Sequence, residues 1–201
     1  MAAATSCAGG AVFAMTSPGP LPRAAGDETG SWYAVAVYAR QEKAAAIAIR
    51  ARGIEVFLPT RMDRRAWSDR VQSVETALFP GYLFVRVVMS AAVRVELLKA
   101  GQVLDVVGRL PGGERVARCI PDEEIESLLT LVSSPCNLDP VARLVPGKLV
   151  VIAQGPLKGA RGIVQELARG KRRLIVQIEL LGRGVAAELS AEDVVELAGI
   201  S

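Results

Sequence analysis

Two stretches of the chain, about seventy residues apart, decide its fold. Residues 79–85 read FPGYLFV, and residues 150–164 read VVIAQGPLKGARGIV. Each combines a turn containing Gly and Pro with the β-branched and aromatic residues typical of a strand. Neither stretch carries a group suited to catalysis, which favours a protein that works by docking onto other macromolecules.

The length and composition indicate a folded protein of one or two small domains. The chain has 201 residues, and 51% of them are hydrophobic, which is ample for a packed core. No apolar run reaches the roughly 18–20 residues needed to span a bilayer. No Lys or Arg precedes Arg23, so a secretory signal is not expected. These features predict a cytoplasmic protein with no membrane partner.

Residue types needed for most enzyme chemistry are scarce. The chain has no histidine, which removes the commonest general base and the commonest metal ligand. Cys7, Cys119 and Cys136 are widely spaced and form no CxxC pair, so a zinc site is not expected. Neither a P-loop nor a GxSxG motif occurs. We therefore predict a non-enzymatic protein without metal or cofactor.

The first two thirds of the chain alternate strand and helix patterns. Residues 1–30 have the composition of a disordered tail. After a strand at 32–38, a helix over 40–52 repeats apolar residues at i, i+3, i+4 and i+7, and these should form its buried face: Ala44, Ile47, Ala48 and Ala51. Further elements are predicted as strands at 54–58, 74–78, 81–88 and 103–107 and helices at 91–100 and from Pro121. This order predicts a split βαβ sandwich over residues 31–133. Residues 60–73 are either a mobile loop or an extended hairpin.

The last third of the chain has an all-β pattern. Residues 134–143 have the composition of a linker. Five short strands separated by Gly-containing turns then fit into residues 144–198, which predicts a small barrel. The fold class is therefore α+β, with an N-terminal α/β sandwich followed by a small all-β barrel.

A basic segment lies within this predicted barrel. Residues 158–173 contain six basic side chains against one acid, Glu166. Such a cluster either contacts phosphates or is a solvated hairpin tip, and clustering alone does not distinguish the two.

Several motifs in sequence order resemble NusG-type transcription elongation and antitermination factors. The N-terminal motifs are WYAV at 32–35, FPGYLFV at 79–85 and IPDEE at 120–124, which resemble the family's NGN domain. The stretch from Pro146 through GPLKG at 155–159 to GIV at 162–164 resembles its KOW domain, an SH3-like barrel. The resemblance covers residues 31–198. It implies a monomeric factor that promotes processive transcription.

The resemblance also implies a polymerase-docking surface on the NGN domain. Family members bind the clamp helices of the RNA polymerase β′ subunit through an apolar concavity, and the matching positions here are Tyr33, Phe79, Pro80, Tyr82 and Phe84. Alternation along a strand places Tyr82 and Phe84 on one face and Leu83 and Val85 on the other. The sequence does not decide which face is core.

A third set of residues resembles the DNA-contacting hairpin of specialised family members of the UpxY kind. The set comprises Arg61, Arg64, Arg65, Trp67 and Arg70. Arginines around an indole suit phosphate contact and base stacking on upstream or non-template DNA. The alternative is a solvated hairpin in which Arg and Asp side chains pair with one another.

The KOW turn is the predicted site for a second partner. Its residues are Gly155, Pro156, Leu157, Lys158 and Gly159, with Leu157 expected to be exposed at the tip. In the family this face meets Rho or a ribosomal protein. An alternative function, a ribosome-associated RNA-binding KOW protein, would use the basic segment instead.

Overall fold

A computed structural model describes residues 30–66, 71–109, 116–167, 171–190 and 193–197. The predicted tail therefore lies almost wholly outside the described residues. The N-terminal elements are β1 Ser31–Val37, α1 Glu42–Arg50, β2 Glu55–Phe57, β3 Thr60–Ala66, β4 Val71–Ala77, β5 Tyr82–Val87, α2 Ala91–Leu98, β6 Val103–Val106, β7 Gly108–Arg109, β8 Val116–Ala117, β9 Cys119–Ile120 and α3 Asp122–Ser133. The C-terminal strands are β10 Leu138–Val141, β11 Leu149–Gln154, β12 Arg161–Glu166, β13 Arg172–Ile178, β14 Arg183–Glu188 and β15 Val194–Leu197. None of the described helices is long and apolar enough to cross a membrane.

The N-terminal domain is a sandwich of one antiparallel sheet between helices. Its strands run in the order β2-β5-β1-β6, and β9 also pairs with β1. Helices α1 and α2 pack on one face of the sheet, against Val35, Leu83 and Val85. Helix α3 packs on the other face, near Ala34 and Phe84. The predicted sandwich is thus confirmed, with both faces of the central strand β5 buried.

The buried face of α1 differs from the predicted one. Glu42, Ala45, Ala46 and Ile49 are buried, whereas Ile47 is 67% exposed. The prediction was wrong because alanines occupy so many positions that more than one helical face satisfies the i, i+3, i+4, i+7 pattern. On the buried face, the Glu42 carboxylate accepts hydrogen bonds from the backbone of Gly81 and Arg40.

Residues 60–66 and 71–77 are the two paired strands of an extended hairpin. Strands β3 and β4 pair with each other from Thr60↔Ala77 to Ala66↔Val71, and they form a sheet of their own. Lys43 on α1 binds Glu75 of this hairpin at 2.7 Å. This hydrogen bond, together with one from Thr60, lowers the pKa of the Glu75 carboxyl.

The C-terminal domain is a six-stranded antiparallel sheet in the order β10-β14-β13-β12-β11-β15. The five predicted strands are present. The sixth, β10, lies inside the segment predicted as a linker and pairs with β14. Its Leu138 is buried in the apolar core. The connection between the domains is therefore partly built into the second domain.

The two domains pack against each other through α3. This helix is apolar towards the N-terminal sheet, and it also lies against β12 and β13 of the C-terminal domain. Ser127 is buried at this boundary, where its Oγ donates to the carbonyl of Glu123 and accepts the backbone N–H of Arg161 at 2.9 Å. Side chains of both domains join one continuous apolar cluster.

Candidate docking surfaces

The FPGY turn places a tyrosine at the start of the central strand. Gly81 has a φ of 82°, a conformation that glycine adopts readily and other residues adopt at a cost. Pro80 is exposed, and the N–H of Tyr82 closes the turn on the carbonyl of Phe79 at 3.0 Å. The sharp turn expected from Pro80 and Gly81 is confirmed.

Glu42 is a structural partner of this turn that the sequence did not reveal. Its Oε1 accepts the backbone N–H of Gly81 at 2.8 Å and that of Arg40 at 3.3 Å. Glu42 lies 39 residues before Gly81, so no local pattern connects the two. An acid in the first turn of an otherwise alanine-rich helix was its only sequence signal.

We expect Glu42→Ala to destabilise the protein by about 1–3 kcal/mol, because it removes the acceptor of the part-buried Gly81 backbone N–H. Glu42→Gln keeps an acceptor oxygen and should cost clearly less. Urea denaturation of the two variants and the parent chain measures the difference. Equal losses for both variants would show that the Gly81 contact contributes nothing specific.

The residues predicted to bind polymerase divide between the two faces of the sheet. Tyr82 and Phe84 share a face, as strand alternation predicts, and lie with Phe79 in the cluster that includes α3. Tyr33 lies on the opposite face, among residues packed with α1 and α2. Burial, reinforced by nearby Cys119, raises the pKa of the Tyr33 phenol above its usual range. The fold therefore does not bring Tyr33 together with the other four.

Only part of the aromatic set can contact another molecule directly. Phe79 and Phe84 are fully buried, and their rings meet edge to face with centroids 5.5 Å apart. Tyr82 is half-buried and Pro80 is exposed. We therefore interpret the two phenylalanines as the support beneath Tyr82 and Pro80.

The C-terminal domain covers Tyr82 in this arrangement. The guanidinium of Arg183, at the start of β14, lies 5.5 Å from the centroid of the Tyr82 ring, within range of a cation–π contact. Between β13 and β14, the turn Glu179–Leu181 also places Leu180 and Leu181 against the shared apolar cluster. The aromatic surface is thus an intramolecular contact here.

The KOW turn has the predicted backbone, but its leucine is not exposed. Gly155 and Gly159 have φ values of 100° and 89°, and the N–H of Lys158 donates to the carbonyl of Gly155 at 3.1 Å. Leu157 is 0% exposed and belongs to the apolar cluster, so the expected exposed anchor is wrong. The turn folds Leu157 inward and leaves Pro156 and Lys158 as its exposed side chains.

The hairpin arginines are only partly described. Arg61 is engaged within the chain: its guanidinium binds Asp63 at 2.9 Å, Asp139 at 3.0 Å and the carbonyl of Leu138 at 2.7 Å. Arg61 thus connects the hairpin to β10. Its contact with Asp63 is the kind of Arg–Asp pair expected if the hairpin is solvated and does not contact DNA. The backbones of Arg64 and Arg65 belong to β3. Trp67 and Arg70 lie outside the described residues.

Two members of the basic segment have partners on neighbouring strands. Lys171 binds Glu188 at 2.7 Å, and the Arg173 guanidinium donates to Gln165. Arg169 lies outside the described residues. These contacts agree with a hairpin whose side chains pair across strands, and phosphate contact by the segment stays a prediction.

Comparison with known proteins agrees with the motifs. Residues 30–129 match the family model described as NusG, transcription termination factor nusG. The chain is 28% identical over 141 residues to the transcription termination/antitermination protein NusG of Yersinia pestis, covering 70% of this chain and 76% of the relative. The NusG protein of Escherichia coli K12 matches with the same identity and coverage. A solved structure titled "Domain interaction in Thermotoga maritima NusG" is similar with a TM-score of 0.49 and 22% identity, covering 84% of this chain and 97% of that one.

The described residues thus form an α/β sandwich with an FPGY turn, followed by an all-β domain. The N-terminal domain of this chain matches the NusG family model, and the chain is similar to NusG transcription termination and antitermination factors.

Proposed function

We propose that the chain is an elongation and antitermination factor that docks on the β′ clamp helices of RNA polymerase through the surface around Tyr82 and Pro80. The observation that carries the proposal is a half-buried tyrosine held on a rigid sheet by two buried phenylalanines. Aromatic anchors on rigid supports are the usual centres of binding energy at protein interfaces. The factor would act in the cytoplasm, alongside the polymerase.

Docking at this surface requires that the C-terminal domain first move away. Arg183 lies over the Tyr82 ring, and the Glu179–Leu181 turn packs beside it. A helix of the polymerase cannot occupy the same space. We therefore propose that the packed arrangement is a resting state and that polymerase binding selects the separated one.

We expect Tyr82→Ala to weaken binding to RNA polymerase by about thirtyfold or more, since loss of a central aromatic anchor costs roughly 2 kcal/mol or more. The substitution is best made on an Arg183→Ala background, because Tyr82→Ala alone also removes the interdomain ring contact. Biolayer interferometry with immobilised polymerase measures the affinity. Tyr38→Ala, which truncates an exposed tyrosine after β1, is the matched control.

Two results would contradict this proposal. One is an unchanged polymerase affinity in the Tyr82→Ala, Arg183→Ala protein relative to Arg183→Ala. The other is co-sedimentation with ribosomes that is independent of polymerase, which would favour the RNA-binding alternative.

Further partners follow from the rest of the family pattern. We infer that the β3–β4 hairpin contacts upstream or non-template DNA through Arg64, Arg65, Trp67 and Arg70, with Arg61 serving mainly as its tie to β10. The exposed Pro156 and Lys158 of the KOW turn would then meet Rho or a ribosomal protein.

Genome-wide occupancy tests the specialised role: confinement to a few long operons supports it, and occupancy over most transcribed genes indicates a general factor.

A further inference from the structure

An acidic side chain lies at the boundary between the two domains. Glu124 is in the first turn of α3, one helical turn before Ser127. Residues three apart share a helix face. Because Ser127 accepts the N–H of Arg161 from the C-terminal domain, Glu124 also faces that domain.

The surroundings of Glu124 are poorly suited to a charged carboxylate. Its Oε2 is buried and has no hydrogen-bond partner among the described residues. The C-terminal domain presents Glu179 to it: the backbone N–H of Glu179 donates to the carboxyl, but the Glu179 side chain adds a like charge. From the N-terminal domain, Glu123 adds another negative charge and Arg118 a positive one. Asp122, nearby in the same turn, lies 4.0 Å from Arg86.

We propose that the packing of the two domains is a proton-linked latch, in which the Glu124 carboxyl is held neutral between α3 and the Glu179–Leu181 turn and its ionisation favours separation of the domains. The device rests on an interdomain interface and not on any binding partner. It does not depend on the proposed function.

The direction of the pH dependence follows from the environment of the carboxyl. Burial is the main cause that raises the pKa of Glu124 to about 7. The charges of Glu179 and Glu123 act in the same direction, and the Glu179 N–H and Arg118 oppose them. In the separated state the carboxyl returns to water and to an ordinary pKa near 4.5. The packed state therefore binds the proton more tightly. The stabilisation of the packed state by this proton is complete below the ordinary pKa of 4.5. It is lost as the pH rises through 7.

The expected size of the effect is about a tenfold fall in the domain-packing equilibrium constant between pH 6 and pH 8, from one proton with these two pKa values. The backbone N–H of Arg161 is a direct reporter, because its acceptor is Ser127 in the other domain. Hydrogen exchange of this amide in the full chain, corrected for the intrinsic pH dependence of exchange, gives its protection factor at each pH.

Three proteins make the test specific. The parent chain should lose about tenfold in Arg161 protection from pH 6 to pH 8. Glu124→Gln is a permanent neutral mimic and should keep high protection at both pH values. Glu126→Gln removes an exposed acid from the same helix and should behave as the parent chain. Equal protection of the parent chain at both pH values, or full pH dependence in Glu124→Gln, would overturn the proposal.

A second measurement keeps the proposal testable if a variant folds poorly. The side-chain carboxyl of Glu124 in the parent chain can be titrated by 13C NMR. A midpoint near 7 supports the latch, and a midpoint near 4.5 contradicts it.

If the proposed function is correct, opening of the latch would also expose the surface around Tyr82. Since both measurements detect domain packing without polymerase, failure of either proposal can be recognised separately.

Discussion

Phe84→Ala should lower the free energy of unfolding by about 3–5 kcal/mol, the usual cost of deleting a buried phenylalanine. Phe84 is 0% exposed on the central strand of the N-terminal sheet. Its ring contacts that of Phe79 at 5.5 Å and that of Phe57 at 6.1 Å between centroids. Removing it leaves a cavity among packed apolar side chains, including the rings of Phe57 and Phe79, and the cost rises with the volume that these neighbours do not fill.

Urea denaturation followed by circular dichroism measures the loss. Tyr38→Ala, which truncates an exposed aromatic residue, should change stability by less than about 0.5 kcal/mol. A loss below about 1 kcal/mol for Phe84→Ala would show that this ring is not part of the core and would restore it as a direct docking residue. The experiment therefore separates the two roles that the sequence left open for Phe84.

Leu157→Ala should cost about 2–5 kcal/mol, the range for truncating a buried leucine. The sequence alone predicts almost no effect, because Leu157 occupies the tip of a Gly- and Pro-containing turn. The structure instead places its side chain in the apolar cluster, with no exposed surface. Lys158→Ala, at the next position of the same turn, removes an exposed side chain and should be nearly neutral.

The two substitutions in the KOW turn are compared by the same denaturation experiment, with hydrogen exchange on β11 and β12 to locate the loss. Neutral behaviour of Leu157→Ala would mean that the leucine is free to bind a partner. A large loss for Leu157→Ala, with little change for Lys158→Ala, leaves Pro156 and Lys158 as the surface for that partner.

Much of the fold follows from local patterns. Three features depend only on residues that are close together in the sequence. They are the alternation of faces along β5, the acids in the first turn of α3 and the glycines with positive φ at turns. The β12–β13–β14 meander is similarly local, since each strand pairs with the next one along the chain. For this reason the α+β class and most of the elements could be predicted.

The candidate site depended far more on distant contacts. Glu42 binds the turn at Gly81, and Arg61 binds the strand at Leu138 and Asp139, across separations that no periodicity describes. The predicted face of α1 failed for a related reason: alanine fits either face, and the buried face is the one whose Glu42 contacts the distant Gly81 turn.

Local sequence patterns were enough to indicate the NusG resemblance, the order of the two domains, the FPGY and KOW turns and the shared strand face of Tyr82 and Phe84. The packing of distant segments was needed to show which aromatic residues are core and which keep exposed surface. It separated Tyr33 from Tyr82, turned Leu157 inward and placed Glu124 against Glu179. The physical reason is that burial and pKa are properties of what packs against a side chain, and here the packing partners lie in another strand, another helix or the other domain.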